Sequence, residues 1–505
     1  MDSPVIEEGP ERGPASGRGP PGHGGRGGRD LTEGPITRTL LIFSLPLLGG
    51  NALQSLNGTV NQFWVSHTLG DVAIAALGNA NIIMMLMLGA VFGVGMAANI
   101  LVAQATGMRD PALVKRVMGT ASTFFVALSL LVAVSGGFLA PHILDLMGTP
   151  AVARADAIIY LRIVFASVPF MYFFMFMQMA QRGAGDSTTP FWFLGLAIII
   201  DICLNPLLIR GIGPFPRLGI AGSATSTLIG QSVSLVCMLV YLYRRRSPVL
   251  LHVSELRLLW PNSDIMGSLV GRGLPMGFQM LVMNAVAVVM ISFVNRYGAL
   301  TSAAYSISAI IWQYVQMPTM AIGASVSSMA AQNVGAGRWD RVAKIARAGV
   351  ISGLVVTGVV ALLLYAFNGQ VLGLLLRPHS PVLPLASHIN RMVLWGFVLF
   401  SITFALSGVV RSTGAVWGPM VILICSMLLI RVPFAALMTP RFGEDAIWWS
   451  FPLGTIGSAT LMTVYYHFGG WRKARMLKEQ PRGQAPDVGL GAPSMAPRLD
   501  EAPAG

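Results

Sequence analysis

The sequence predicts an all-α polytopic membrane protein, with twelve transmembrane helices in two six-helix lobes related by a pseudo-twofold axis. Three observations predict it. The 505 residues are 54% hydrophobic and only 11% charged, against about 25% charged in an ordinary soluble domain, so lipid is the main solvent. Twelve apolar runs each reach the length of about 20 residues that crosses a bilayer. Landmarks of the first half also recur in the second half at a nearly constant shift.

The runs fall near 40–65, 76–103, 117–140, 158–181, 189–209, 219–243, 269–294, 302–330, 345–367, 388–410, 415–437 and 446–467. The first is long and continues into further spans, so it reads as a retained helix and not a cleaved signal peptide. Residues 1–38 form a Gly-, Pro- and Arg-rich tail, too polar to bury a core and expected to be disordered. Residues 39–243 make the first lobe, 244–268 a cytoplasmic linker, 269–470 the second lobe and 471–505 a second disordered tail. The even-numbered connections, GMRDPALVKR, YRRRSPVLLHVSELR and GRWDRVAKIAR, are the densest in Lys and Arg. Cytoplasmic loops carry that excess, which puts both termini in the cytoplasm. Arg over Lys and a wealth of Gly and Ala point to a bacterial source, and so to a multi-pass protein of the inner (plasma) membrane.

The formal charge of +13 lies between apolar runs and forms no stripe or face. Nucleic-acid binding is therefore not expected. The three cysteines, Cys203, Cys237 and Cys425, sit inside apolar runs and read as small buried hydrophobes. Seven histidines occur without HExxH, and there is no nucleophile elbow or phosphate-binding glycine loop, so no enzyme, no cofactor and no resident metal is expected.

The repeat is specific. Leu45-Pro46 recurs as Leu274-Pro275, Ala103-Gln104 and Gly107 as Ala331-Gln332 and Gly335, and Arg182, Gly185 and Pro190 as Arg411, Gly414 and Pro419, all 228 or 229 positions apart. Six helices per half start both halves on the same side of the membrane. Parallel repeats of this kind, with a site near their interface, are a transporter architecture.

Asp201 is the one acid well inside an apolar span. An Asp at a helix centre costs about 2.5–3.5 kcal/mol on insertion scales and reads by default as functional. Asn205 lies one turn on and shares its face. Pro206 lacks an N–H and disturbs the Ile202 carbonyl, which makes it a candidate hinge. An acid, an amide and a freed carbonyl suit a proton relay or a Na⁺ site, since hard cations prefer oxygen. Asn51, Gln54, Asn57 and Asn61 recur at spacings of three or four, one polar face of the first helix, and should meet Asp201 inside the first lobe. The competing reading is a neutral carboxyl held by static hydrogen bonds. Shifting Asp201 by 229 lands on Ile430, next to Arg431, so coupling is expected in the first lobe alone. Arg431 reads either as a cavity charge that tunes substrate sign or, the reading the sequence favours, as a side chain snorkelling to the outer interface.

TLGDVAIAALG, LVAQATGMRD, QRGAGDSTTP and LNPLLIRGIGPFPRLGIAGSATSTLIG, with second-half counterparts RYGALTSAAYS, MAAQNVGAGRWD and VVRSTGAVWGP, resemble the MATE (multidrug and toxic compound extrusion) family over about residues 35 to 475. The resemblance implies a secondary antiporter: inward proton flow, or alternatively Na⁺, would drive export of small organic, often cationic and amphipathic, compounds. The sequence departs from the family pattern. Where members often carry a first-helix carboxylate in a setting like DTFWVG, this chain has NQFWVS with Asn61. Where they show Asn four residues before Asp-Pro, it has Asp201 before Asn205-Pro206. Where one branch has Glu in the seventh helix, it offers Asn284. Ion coupling is accordingly expected at Asp201, Asn205, Asn57 and Asn61, with Asp201 and Asn205 the place for Na⁺ if Na⁺ is the ion.

Methionines are dense in NIIMMLMLG and FMYFFMFMQMAQ, and flexible thioethers suit promiscuous binding. The expected substrate-cavity set is Gln54, Met175, Gln178 and Met179, with Gln279, Met283, Asn284 and Tyr314 from the second half. The blander reading is helix packing with amides bonded between helices. The partners expected are small organic molecules and the lipid bilayer, with the chain acting as a monomer. Rival functions are a lipid-linked precursor flippase on a similar scaffold and a membrane-embedded transferase.

Overall fold

The computed structural model describes residues 28–69, 71–146, 148, 151–376 and 380–476, and all regular structure among them is helical. The first half holds α1 (Ile36–Leu69), α2 (Asp71–Gly107), α3 (Pro111–Leu146), α4 (Ala151–Gly183), α5 (Thr188–Arg210) and α6 (Ile220–Arg244). A 3₁₀ turn, Val253–Leu259, leads to α7 (Ser263–Asn295), α8 (Ala299–Gly335), α9 (Trp339–Ala366), the short α10 (Asn368–Leu375) and α11 (Val382–Arg411). One rod then joins α12 (Trp417–Ile424), a π-helical segment Cys425–Arg431 and α13 (Val432–Phe442), and α14 (Asp445–Phe468) follows.

Ten of the long helices are apolar enough to span a membrane. The other two of the twelve expected spans, α8 and α14, have the length, but Ser, Thr, Trp and Tyr dilute their apolar content. The chain is a multi-pass membrane protein.

The packing repeats as the sequence does. α4 lies against α2, α3 and α6, as α11 lies against α8, α9 and α14, and α5 pairs with α6 as the α12–α13 rod pairs with α14. Each half encloses an apolar core, one around Phe125 and Phe176, stacked 4.7 Å apart, the other around Trp312, Phe397 and Phe451. The halves meet through α2 against α7 and α8, and α1 against α8.

At the end of α2 and α8 the seam is closed by paired contacts. The Gln104 side-chain amide donates to the Ser412 carbonyl at 2.6 Å, and its repeat partner Gln332 donates to the Gly183 carbonyl at 2.8 Å. Ser328 donates across the seam to Asn99 Oδ1 at 3.2 Å. Gly107 and Gly335 each face the backbone of the opposite glutamine, where a Cβ would lie 1.9 Å and 2.1 Å from the Gln332 and Gln104 carbonyl oxygens.

Residues 28–34 differ from the expected loose tail. Leu31 is fully buried; its N–H donates to Gln332 Oε1 at 3.1 Å and its carbonyl accepts from Asn333 at 3.0 Å. The Arg29 N–H donates to the Gly185 carbonyl at 3.1 Å, and Arg338 donates to the Thr32 carbonyl at 2.7 Å. An apolar anchor and satisfied backbone groups hold this strap across both halves. At the other end Trp471 and Met476 are likewise buried. The remaining tail positions, 1–27 and 477–505, lie outside the described residues. The expected burial of the cysteines also needs correction: Cys203 and Cys237 are exposed and Cys425 half-buried. Cys203 stands two residues from Asp201, which turns it to the outer side of α5.

Candidate functional site

The buried positions of α5, namely Ala197, Ile198, Asp201, Asn205, Leu208 and Ile209, fall on one helical face, while Trp192 and Ile199 face outward. That periodicity turns Asp201 inward, where only 2% of it is exposed. Its Oδ2 accepts from Asn57 at 2.9 Å and Asn61 at 3.2 Å, both on α1. Its Oδ1 accepts from Ser226 on α6 at 2.5 Å, and Thr227 donates to both oxygens at 3.2 Å. The Asn205 amide donates to Asn61 Oδ1, which fixes the Asn61 amide with its nitrogen toward the carboxylate. The four residues expected to act together, Asp201, Asn205, Asn57 and Asn61, are thus one connected cluster. Ser226 and Thr227 complete it and were not singled out from sequence.

Among the described residues no Lys, Arg or His is paired with Asp201. Five hydrogen bonds from four donors thus converge on the carboxyl, and among the described residues no fixed cation is paired with it. Two buried oxygens beside it, Asn57 Oδ1 and Asn205 Oδ1, have no partner. The carboxylate with these oxygens is the set that would hold a hard cation. The carboxylate alone can hold a proton. α5 continues through Pro206 to Arg210, so the Ile202 carbonyl lacks the usual donor four residues on.

The cluster depends on a close approach of α5 and α6. A Cβ on Gly230 would lie 2.6 Å from the Ala197 carbonyl oxygen and 3.4 Å from the Asp201 nitrogen. Gly230→Val should therefore push α6 off α5 and cost about 1–3 kcal/mol by overpacking. A thermal melt of the purified protein checks this, and an unchanged midpoint would contradict the stated contact.

A cavity of about 600 Å³ lies between the closed seam and the opposite face, mainly in the second half. α1 contributes Asn51, Gln54 and Ser55, and α7 contributes Met280, Met283 and Asn284. Tyr305, Trp312, Phe397 and Phe451 form its aromatic wall, and Arg431 is the one charged side chain among its lining residues. Trp312 is pinned by its indole N–H donating to Asn390 Oδ1 at 3.0 Å, and Asn390 in turn donates to Asn368 at 3.1 Å.

Of the expected cavity set, Gln54, Met283 and Asn284 line this space. Met175, Gln178, Met179, Gln279 and Tyr314 do not. The methionine face of α4 packs inside the first half: Met179 is 4% exposed and its sulfur fills the space beside Gly95, while Met175 packs on the same core. Gln178 is buried there and accepts from Arg182 at 3.4 Å. Gln279 stands about 100° round α7 from Met280, and Tyr314, 46% exposed, stands on the far side of α8 from Trp312. Arg431 is also corrected. Instead of reaching an outer interface, its guanidinium carbon lies 3.5 Å from the centre of the Phe451 ring.

A family model, MatE, matches residues 46–207 and 275–437, one stretch in each half. The chain is 33% identical over 445 residues to the probable multidrug resistance protein YoeA of Bacillus subtilis (strain 168), covering 88% of this chain and 96% of that protein. It is 28% identical over 452 residues to the probable multidrug resistance protein YpnP of the same organism, covering 89% and 99%. Its fold superposes with a TM-score of 0.81 on the solved structure of an outward-facing multidrug resistance MATE family transporter of the MOP superfamily, at 20% identity over 88% of this chain and 98% of that one.

Proposed function

The chain belongs to the MATE family of membrane transporters, and from that premise we propose that it exports amphipathic organic molecules in exchange for protons bound at Asp201. The observation that carries this reading is a buried carboxylate with four side-chain donors and no cationic partner among the described residues. Such a group is balanced only by a mobile positive charge. Uptake of a proton removes the charge, and the donors then lose most of their electrostatic hold on it. The α1–α5–α6 packing would relax at that moment, with Pro206 supplying an unbonded carbonyl about which α5 can bend.

Na⁺ is the second reading, favoured by the unpartnered Asn57 and Asn205 oxygens. Dye efflux from vesicles at fixed membrane potential decides between them. The expected result is export driven by a pH gradient in Na⁺-free buffer. Export that requires Na⁺ and ignores the pH gradient would replace the proton with the metal ion. The YoeA and YpnP relatives carry the description multidrug resistance, which supports a broad organic cargo. The cationic cargo implied by family resemblance sits poorly with Arg431 in the cavity wall. Arg244, Arg245, Arg246, Arg338 and Lys344 crowd the side of the closed seam, which supports a cytoplasmic placement of that side and of both termini. Both lobes are present in one chain, which supports a working monomer with boundaries near 39–243 and 269–470, joined by 244–268.

A further inference from the structure

We propose that the second-lobe cavity receives the anionic group of an organic amphiphile, a carboxylate, sulfonate or phosphate, held by Arg431 and Asn284. The proposal deepens the export reading and rests on it for taking this cavity as the cargo site.

The first ground is charge. Among the described residues, Arg431 is the only charged one lining the cavity, and no carboxylate pairs with it. A cationic cargo would have to lose water beside an uncompensated guanidinium. The second ground is hydrogen bonding. Arg431 Nε and Asn284 Nδ2 are both buried and both lack a partner, and both are donors. The unmet demand in this cavity is for acceptors. Unpaired buried donors are rare enough in folded proteins to need a reason, and a ligand oxygen supplies one.

The third ground is geometry. The guanidinium lies against Phe451 at 3.5 Å and contacts the Met427 sulfur at 3.7 Å, while the absence of a side chain at Gly454 leaves room for its stem. Stacked this way, the planar group keeps an N–H edge for two-pronged binding of an oxyanion. Arg431 closes the π-helical segment of its rod, a wide turn that is frequent at functional sites. Tyr305 and Trp312 face an apolar body, and about 600 Å³ is the size that drug-sized ligands occupy.

The anion could belong to a free organic acid or to the headgroup of an acidic lipid, and one experiment separates them. The full chain is placed in phosphatidylcholine nanodiscs with no ion gradient, and binding of fluorescein (an anion) and ethidium (a cation) is read by fluorescence polarisation. The wild-type protein should bind fluorescein more tightly than ethidium. Arg431→Met, which keeps the stem, should weaken fluorescein binding by about tenfold or more and leave ethidium binding and the melting profile unchanged. Arg431→Lys should fall between, since it keeps charge without the fork. If phosphatidylglycerol in the nanodisc competes with fluorescein in wild type but not in Arg431→Met, the anion is a lipid headgroup. If it does not compete, the cargo is a free acid. Both results support the proposal. Equal fluorescein binding by wild type and Arg431→Met, or a wild-type preference for ethidium, would overturn it. Arg431-dependent binding without gradient-driven export would sink the export reading and leave this one standing.

Discussion

Asp201→Asn should lose ion-driven export entirely, down to the level of vesicles without the protein, while keeping its fold. The amide has nearly the volume of the carboxyl, so the packing of α5 between α1 and α6 has no reason to change. What disappears is the ability to alternate between charged and neutral. The buried charge also costs folding free energy of its own, so the melting midpoint should hold or rise. Asp201→Glu keeps the charge but adds a methylene at a site where Asn57, Asn61, Ser226 and Thr227 are already within 3.2 Å, and partial export is expected. Dye efflux from everted vesicles is the measurement. An Asp201→Asn protein that exports at the wild-type rate would leave the carboxylate a static structural group.

Gly107→Val should shift the protein away from the closed seam. The added Cβ would sit 1.9 Å from the Gln332 carbonyl oxygen, a backbone atom that cannot rotate aside. The clash is relieved only by parting α2 from α8, and these belong to opposite halves. Its cost, about 1–3 kcal/mol, therefore falls on this arrangement of the lobes more than on either lobe alone. A cost of that size changes a two-state ratio by about 5- to 150-fold. Gly335→Val should act alike through the Gln104 carbonyl. Spin labels on Met108 and Trp339, both exposed, in a chain without its native cysteines, should report longer distances in either variant. Gly137→Ala, with nothing within 4 Å of the new atom, is the silent control. Unchanged label distances in Gly107→Val would mean that the seam yields in some other way.

The side-chain cluster around Asp201 was legible because helical spacing is simple arithmetic. Asn57 and Asn61, and Asp201 and Asn205, each stand one turn apart, and an acid in oil needs partners. Ser226 and Thr227 were harder to see, because serine and threonine also bond their own helix, as both do here to the Ser223 carbonyl. The glycine and glutamine landmarks of the repeat marked the seam without disclosing what closes it. The α4 methionines misled for a different reason: a thioether face serves a core as readily as a pocket, and only packing decides. Arg431 was misjudged because a π turn breaks the 3.6-residue period. Counting from either end of its span on an ideal helix gives the wrong face. Leu31 escaped because one apolar residue in a Gly- and Arg-rich stretch carries no periodic signal.

If Asp201 is the coupling group, the lone carboxyl of α5 also sets the stoichiometry. Among the described residues Asp201 is the one acid well inside an apolar span, and with only an arginine near the matching place in the other half, such a turnover would admit one proton. If the molecule leaving is a monovalent anion, each cycle carries two charges in the same electrical direction. Membrane voltage then contributes twice its single-charge increment of about 2.3 kcal/mol per 100 mV, so such a pump would run on voltage even where the inside and outside pH are equal.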